Sequence, residues 1–210
     1  LSRVNNTSFL LSVGEKKKNE TGFFVDPSFF QLFDFESLHG DLSTALDKAE
    51  NIVITEDLAM QLFGTADAMG KTVKIDTASL FTVSAVLKDM PMNSRFRTNY
   101  FLPWAHLRTL GWDDEWWGNN SVQTYLLLKE NVDITAFNEK IKNITKKHTE
   151  GNNPSTTEVF AYPLSKTYLY GKNDNGKLVG GKIVNVRMFG AIAAVILLIA
   201  CINFMNLTTA

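Results

Sequence analysis

The chain is poor in the residues that carry most protein chemistry: it has one cysteine, three histidines and five prolines among 210 residues. One cysteine forms no internal disulfide, and histidines so dispersed offer no metal-ligand spacing. Its charges nearly cancel, with 21 Lys and Arg against 22 Asp and Glu for a net −1. That balance excludes the clustered basic excess of a nucleic-acid binder. Motifs of bond chemistry are also missing: there is no G-x-S-x-G elbow, H-E-x-x-H pair, P-loop or G-x-G-x-x-G turn. A catalytic site, a bound cofactor and a resident metal are therefore not expected. With 45% hydrophobic and 20% charged residues, the chain is neither disordered nor fibrous, and its length allows one or two compact domains. It opens at Leu1 with neither a methionine nor a signal-peptide pattern and stops inside an apolar run, as an excised piece of a longer protein would.

What stands out is that run. Residues 188–210, MFGAIAAVILLIACINFMNLTTA, contain no charge. As a helix they would cover roughly 34 Å, against about 30 Å for a bilayer core. The spacing predicts a membrane helix; a buried core helix is the alternative, but such helices seldom run so far without a charge. Asn203 and Asn206, three apart, share a face and either bond a neighbouring helix or mark the headgroup region. Lys172, Lys177, Lys182 and Arg187 precede the run, which by the positive-inside rule alone would place that flank in the cytoplasm. With the other flank missing, the residues leave topology open. Between them, Gly171, Gly176, Gly180 and Gly181 give 171–187 the composition of a compliant linker.

Upstream the pattern is mixed α and β. Residues 9–13 and 21–25 suggest strands around a polar hairpin, GEKKKNE, whose Lys16, Lys17 and Lys18 form a solvated tip or touch anionic partners. In 27–33, Phe29, Phe30 and Phe33 are spaced to share a buried helical face. Residues 52–55 form a short strand, and Thr55 then caps a helix with Glu56 and Asp57 in its first turn. Leu58, Ala59, Leu62 and Phe63 recur at helical spacing, and Gly64 is its left-handed stop. Strands at 71–75 and 80–87 flank the turn DTAS, with Phe81, Val83, Ala85 and Leu87 on one face. Finally, 122–128 and 159–162 bracket a helix capped by Asp133, whose stripe Ile134, Phe137, Ile141 and Ile144 would lie on a sheet. That last unit suggests half of a ferredoxin-like split βαβ, with the N-terminal strand, the short helix and 35–38 as its other half and the middle block inserted between them.

Two clusters invite a chemical reading. Asp113, Asp114 and Glu115 resemble an acid/base group, but adjacent carboxylates on a loop project apart, and a solvated loop is the simpler account. Trp104, Trp112, Trp116 and Trp117, beside Asn119, resemble a sugar-stacking platform, although tryptophan this dense more often packs a flap or a protein contact.

The stretch NIVITEDLAMQLFGTADAMGKTVKID followed by FTVSAVLKDMPMNSRF resembles the MacB-like periplasmic core domain of bacterial ABC-transporter permeases. The resemblance rests on Leu62, Phe63 and Gly64, then Gly70, Lys71 and Thr72, then Lys88, Asp89 and Pro91, in the family's order. GFFVDPSFFQLFDF and TYLLLKENVD resemble flanking family segments, and LLIACINFMNLTTA resembles the start of the FtsX-like permease unit. Ala68 and Met69 stand before Gly70 where the family usually has a proline and an isoleucine, and the Trp-rich segment matches efflux-pump members poorly.

The resemblance implies an α+β ectodomain with a porter-like subdomain (1–38 and 118–170) and an inserted Sabre-like subdomain (39–117), then a linker (171–187) and a truncated membrane helix (188–210). Gly64 and Gly70 would set turns, and Asp89 and Pro91 would end the valine-rich strand. It implies a non-catalytic permease subunit of the bacterial inner membrane with its ectodomain in the periplasm. Its expected partners are a cytoplasmic ABC ATPase, a second permease protomer and a periplasmic adaptor or substrate-delivery protein. ATP-driven motion would be relayed outside the membrane for export or efflux. A membrane-anchored sensor ectodomain is the rival reading, which a signalling segment after the helix would favour; a tethered periplasmic enzyme has no motif in its support.

Overall fold

The computed structural model describes residues 1–76, 79–113, 117, 121–149, 157–174 and 177–209. The chain forms two compact units, Leu1–Glu130 and Asn131–Ala210.

The first unit runs β1 (Ser2–Val13), β2 (Lys16–Val25), α1 (Phe29–Leu32), β3 (Ser37–His39), β4 (Asn51–Thr55), α2 (Glu56–Phe63), β5 (Thr72–Ile75), β6 (Ser79–Leu87), β7 (Tyr100–Pro103), α3 (Trp104–Thr109) and β8 (Gln123–Tyr125). Its sheet is ordered β2-β7-β4-β6-β5-β1-β8, with β3 on β6, and β1 also pairs with β2, so six strands close a ring. The β2–β7 and β4–β6 pairs are parallel and the rest antiparallel.

One consequence of the ring is that strands from the segment 1–38 and from the segment 39–117 share one sheet. Aromatic and aliphatic side chains pack both its faces. On one, Leu58, Ala59 and Leu62 of α2 and Leu107 of α3 meet Leu11, Ile54, Val83 and Tyr100. On the other, Phe29 of α1 lies 5.0 Å from the Phe33 ring and 5.5 Å from Phe101 between ring centroids, with Phe30 5.6 Å away, so the three phenylalanines do share a packed cluster. Full burial of such a side chain is worth about 1.5–3 kcal/mol.

Three strand expectations change in this unit, and the simplest is that the strand expected over 122–128 is confined to Gln123–Tyr125. The hairpin is tighter than GEKKKNE suggested: Gly14, at φ 58°, makes the turn with Glu15, and pairing runs from Val4↔Val25 to Val13↔Lys16. The lysines therefore belong to β2. Lys16 and Lys18 stand opposite Val13 and Leu11, whereas Lys17 stands opposite Ser12 on the other face, so they form no single tip. In β6, Ile52 pairs with Val83 but Val53 pairs with Ala85, leaving Ser84 as an extra residue. This bulge moves Ala85 and Leu87 to the face opposite Phe81 and Val83, which the alternation alone had put together.

The second unit contains α4 (Ile134–Ile141), α5 (Ile144–His148), α6 (Leu164–Tyr170), β9 (Asn173–Asp174), β10 (Lys177–Leu178) and α7 (Lys182–Thr209). Asp133 caps α4, its Oδ1 accepting from the Thr135 N–H at 2.9 Å. The apolar stripe is split, because α4 ends at Ile141 and Ile144 opens α5. The expected strand at 159–162 is irregular. There the Asn138 carboxamide takes the place of a strand partner: Nδ2 donates to the Ala161 carbonyl at 3.1 Å and Oδ1 accepts from the Ala161 N–H at 2.8 Å. A helix side chain thus satisfies the backbone that a ladder would have paired. The glycine-rich 171–187 is ordered among its described residues, with Lys172 N–H bonding Gly180 O and Val179 N–H bonding Lys172 O, each at 2.9 Å. Gly181, at φ 155°, lies against the Leu169 carbonyl, where a Cβ would come within 2.7 Å. At Gly181 the missing side chain thus permits close packing. The helix then starts at Lys182, earlier than the charge-free run that begins at Met188.

Candidate functional site

The residues singled out in 62–91 gather mainly around α2. At its N-terminus Thr55 Oγ1 accepts from the Leu58 N–H at 3.4 Å. Asp89, beyond the end of β6 at Leu87, reaches the same turn: its Oδ1 accepts from the Asp57 N–H at 3.0 Å. Two orphan amides of the first turn are thereby satisfied, one by a neighbour in sequence and one across 32 residues. At the other end Leu62 is buried, and Gly64, at φ 74°, returns its N–H to Met60 O at 2.9 Å. Gly70 donates to Val83 O and Lys71 O accepts from Val83 N–H, both at 2.9 Å, which extends the β5–β6 pairing toward α2. Lys71 Nζ stands 5.3 Å from the Phe63 ring centroid, a cation–π contact that joins the Leu-Phe-Gly and Gly-Lys-Thr motifs. Pro91 is exposed and heads a turn in which its carbonyl accepts from Ser94 N–H at 2.9 Å. These groups cap, turn and brace.

A second polar cluster lies where the sequence pattern gave no signal beyond the residue types. Arg3 on β1 grips Asp26 just past β2 with Nη2 at 2.8 Å and Nε at 3.0 Å, and the Arg3 N–H also donates to Asp26 Oδ2 at 2.8 Å. The guanidinium lies 4.2 Å over the Trp104 ring. Asp113 receives the Trp104 indole N–H and Arg108 Nε, each at 2.9 Å, with Arg3 Nη1 at 3.7 Å. The indole hydrogen bond and then the two arginines hold the Asp113 carboxyl below the usual carboxylate range. Asp113 is therefore a paired residue, 13% exposed, and not part of a solvated acidic loop; Asp114 and Glu115 lie outside the described residues. The cluster anchors the first strand, since Ser2–Val4 also pairs with β8 and the Leu1 carbonyl accepts from Ser28 Oγ at 2.6 Å.

The tryptophans form no common platform among the described residues. Trp104 is buried, whereas Trp112 stacks on Phe9 at 6.1 Å and is 56% exposed. Trp116 and Asn119 lie outside the described residues. Phe9, His106 and Trp112 edge a shallow recess, and burial lowers the pKa of His106. In α7, Asn203 and Asn206 are both exposed, as are the apolar residues around them, so the helix is apolar on every side with two amides near its end.

A family model for the MacB-like periplasmic core domain matches residues 2–144. No curated protein matches the chain. Among solved structures, a domain of a permease protein from Porphyromonas gingivalis superposes with a TM-score of 0.62 at 21% identity, over 79% of this chain and 80% of that one. The periplasmic region of MacB from Actinobacillus actinomycetemcomitans gives a TM-score of 0.52 at 17% identity, over 70% of this chain and 65% of that one. The extracellular domain of the noncanonic ABC-type transporter YknZ from Gram-positive bacteria gives 0.50 at 15% identity, over 76% and 80%. At such identities the likeness is one of fold.

Proposed function

The chain belongs to the MacB-like periplasmic core domain family, and from that premise we propose that it relays ATP-driven motion across the membrane as part of an ABC-transporter permease, for export or efflux. The observation that carries this reading is the succession of a family ectodomain over residues 2–144 and one helix, Lys182–Thr209, long and apolar enough to span a bilayer. In this reading hydrolysis belongs to a separate cytoplasmic ATPase, a second permease protomer completes the assembly, and a periplasmic adaptor or delivery protein receives the motion. The ectodomain stands in the periplasm and α7 enters the inner membrane. Asn203 and Asn206 then face a neighbouring helix.

The division into a porter-like part (1–38 and 118–170) and an inserted Sabre-like part (39–117) is likewise a proposal. The sheet sets its mechanical form: β1 and β2 are laddered to β5 and β7, so the strands of the two segments move as one rigid body. Such a body transmits displacement only if its attachments are stiff. The Arg3 cluster stiffens the N-terminal attachment, and close packing at Gly171 and Gly181 stiffens the segment before α7.

The test uses the full-length permease with its ATPase. A long Gly/Ser insert is placed just before Leu1 in one variant and between Gly180 and Gly181 in another. The relay reading expects transport to fail in both while ATP hydrolysis persists. Transport that survives both inserts would replace the relay with a passive docking role.

A further inference from the structure

The second compact unit exposes apolar and basic residues together at the base of α7. On α6, Leu164 and Tyr168 lie one turn apart and are 40% and 68% exposed. On the following hairpin Leu178 and Val179 are 45% and 48% exposed. These side chains ride on an ordered frame: Gly171 bridges to Gly180, Gly181 abuts the Leu169 carbonyl, and Lys182, the first residue of α7, stacks its Nζ 4.0 Å over the Tyr168 ring. Among the described residues the apolar surface is thus exposed at the base of α7.

Charge points the same way. Between residues 162 and 187 the sequence has five cationic residues, Lys166, Lys172, Lys177, Lys182 and Arg187, and one carboxylate, Asp174. Among the described residues no carboxylate lies within ion-pair distance of Lys166, Lys172, Lys182 or Arg187. A cationic flank is disfavoured on the translocated side of a membrane helix, so on a periplasmic flank these residues need another use. Lipid phosphates supply one, because lysine near a bilayer surface is attracted to anionic headgroups. The dimensions agree: Lys182 lies about 9 Å along the helix from Met188, comparable to the headgroup layer that surrounds the hydrocarbon core.

We propose that α6 and the β9–β10 hairpin form a collar at the membrane interface, with Leu164, Tyr168 and Val179 in the headgroup–acyl boundary and Lys166, Lys172 and Lys182 on lipid phosphates. Tyrosine suits this layer because its ring is apolar and its hydroxyl is wet. The collar rests on the reading of α7 as a membrane span. It fixes the depth at which that helix begins, so that displacement of α7 along the membrane normal has a lipid-held stop.

The experiment takes the full chain with Cys201→Ser and single cysteines introduced by Ser165→Cys, Val179→Cys or Leu197→Cys, each spin-labelled in nanodiscs of phosphatidylcholine with or without phosphatidylglycerol. Collisions with oxygen and with a water-soluble nickel chelate report depth. The collar predicts a deep label at 197 and headgroup-depth labels at 165 and 179 that lose most of their nickel accessibility relative to a free aqueous label. Phosphatidylglycerol should deepen the labels at 165 and 179, and Lys166→Gln with Lys172→Gln should abolish that shift. A deep label at 197 with fully aqueous labels at 165 and 179 would overturn the collar while leaving the span intact, as would a phosphatidylglycerol shift that survives both glutamines. An aqueous label at 197 would remove the span and the collar with it.

Discussion

Replacing Arg3 by methionine tests whether the N-terminal cluster is a structural anchor. Methionine keeps most of the unbranched stem, so the change removes the guanidinium and little packing. Lost with it are the bidentate grip on Asp26 at 2.8 and 3.0 Å, the 3.7 Å approach to Asp113 and the 4.2 Å contact over Trp104. An exposed ion pair is worth about 0–1 kcal/mol, and breaking a buried one costs about 3–5 kcal/mol. Arg3 is 30% exposed and Asp26 16%, so the pair falls between these limits. Asp26 also keeps the backbone N–H of residue 3, which spares part of its hydrogen bonding. Screening and this retained bond bring the expected loss to about 2 kcal/mol. Denaturant unfolding of the full chain in non-ionic micelles, followed by tryptophan fluorescence, should show a lower midpoint at unchanged slope. A cycle with Asp113→Asn should give a coupling of at least about 0.5 kcal/mol, because both residues meet over Trp104. A loss below about 0.5 kcal/mol, within the range of an ordinary surface substitution, or strict additivity with Asp113→Asn, would refute the anchor.

Three further outcomes follow from the same geometry. Asp89→Ala should destabilise by about 1 kcal/mol and speed hydrogen exchange at the Asp57 amide, while Asp89→Asn, which keeps an acceptor, should recover most of the loss. Because the folded-state pKa of Asp113 is depressed, its contribution is complete above the ordinary aspartate value of about 3.9 and disappears as pH falls through the lower folded value; acid titration below about pH 4 should destabilise the parent more than Asp113→Asn. Leu197→Arg, at mid-span of α7, should cost about 2.5–3.5 kcal/mol in a translocon insertion assay, and unchanged insertion would argue against a membrane span.

Some of this architecture was legible because its cause is local. Thr55 with Leu58, and Asp133 with Thr135, are caps formed within three residues, and the side-chain types alone nominate them. The charge-free stretch from Met188 needs no partner to be recognised, because its length and apolarity are the property that matters. The phenylalanines of 29–33 likewise announced a packed cluster by their spacing. The order of the 62–91 motifs was enough to indicate the family.

What the sequence by itself determined, then, is where the side-chain-capped helices begin and which segment is long and apolar enough to cross a membrane. Tertiary structure alone decided which elements meet, because a contact across many residues depends on strand order and register. The bulge at Ser84 sends Ala85 and Leu87 to the opposite face from Val83, and no alternation within β6 discloses it. Asp89 caps a helix that begins 33 residues before it only because β4 and β6 run parallel side by side, bringing the end of β6 to the start of α2. Arg3 and Asp113 meet only because α3 and the loop beyond it pack beside β1 and β2. The Asn138 amide replaces a ladder that the 159–162 pattern was equally able to form, because hydrogen bonds satisfy backbone polar groups whether a strand or a side chain supplies them.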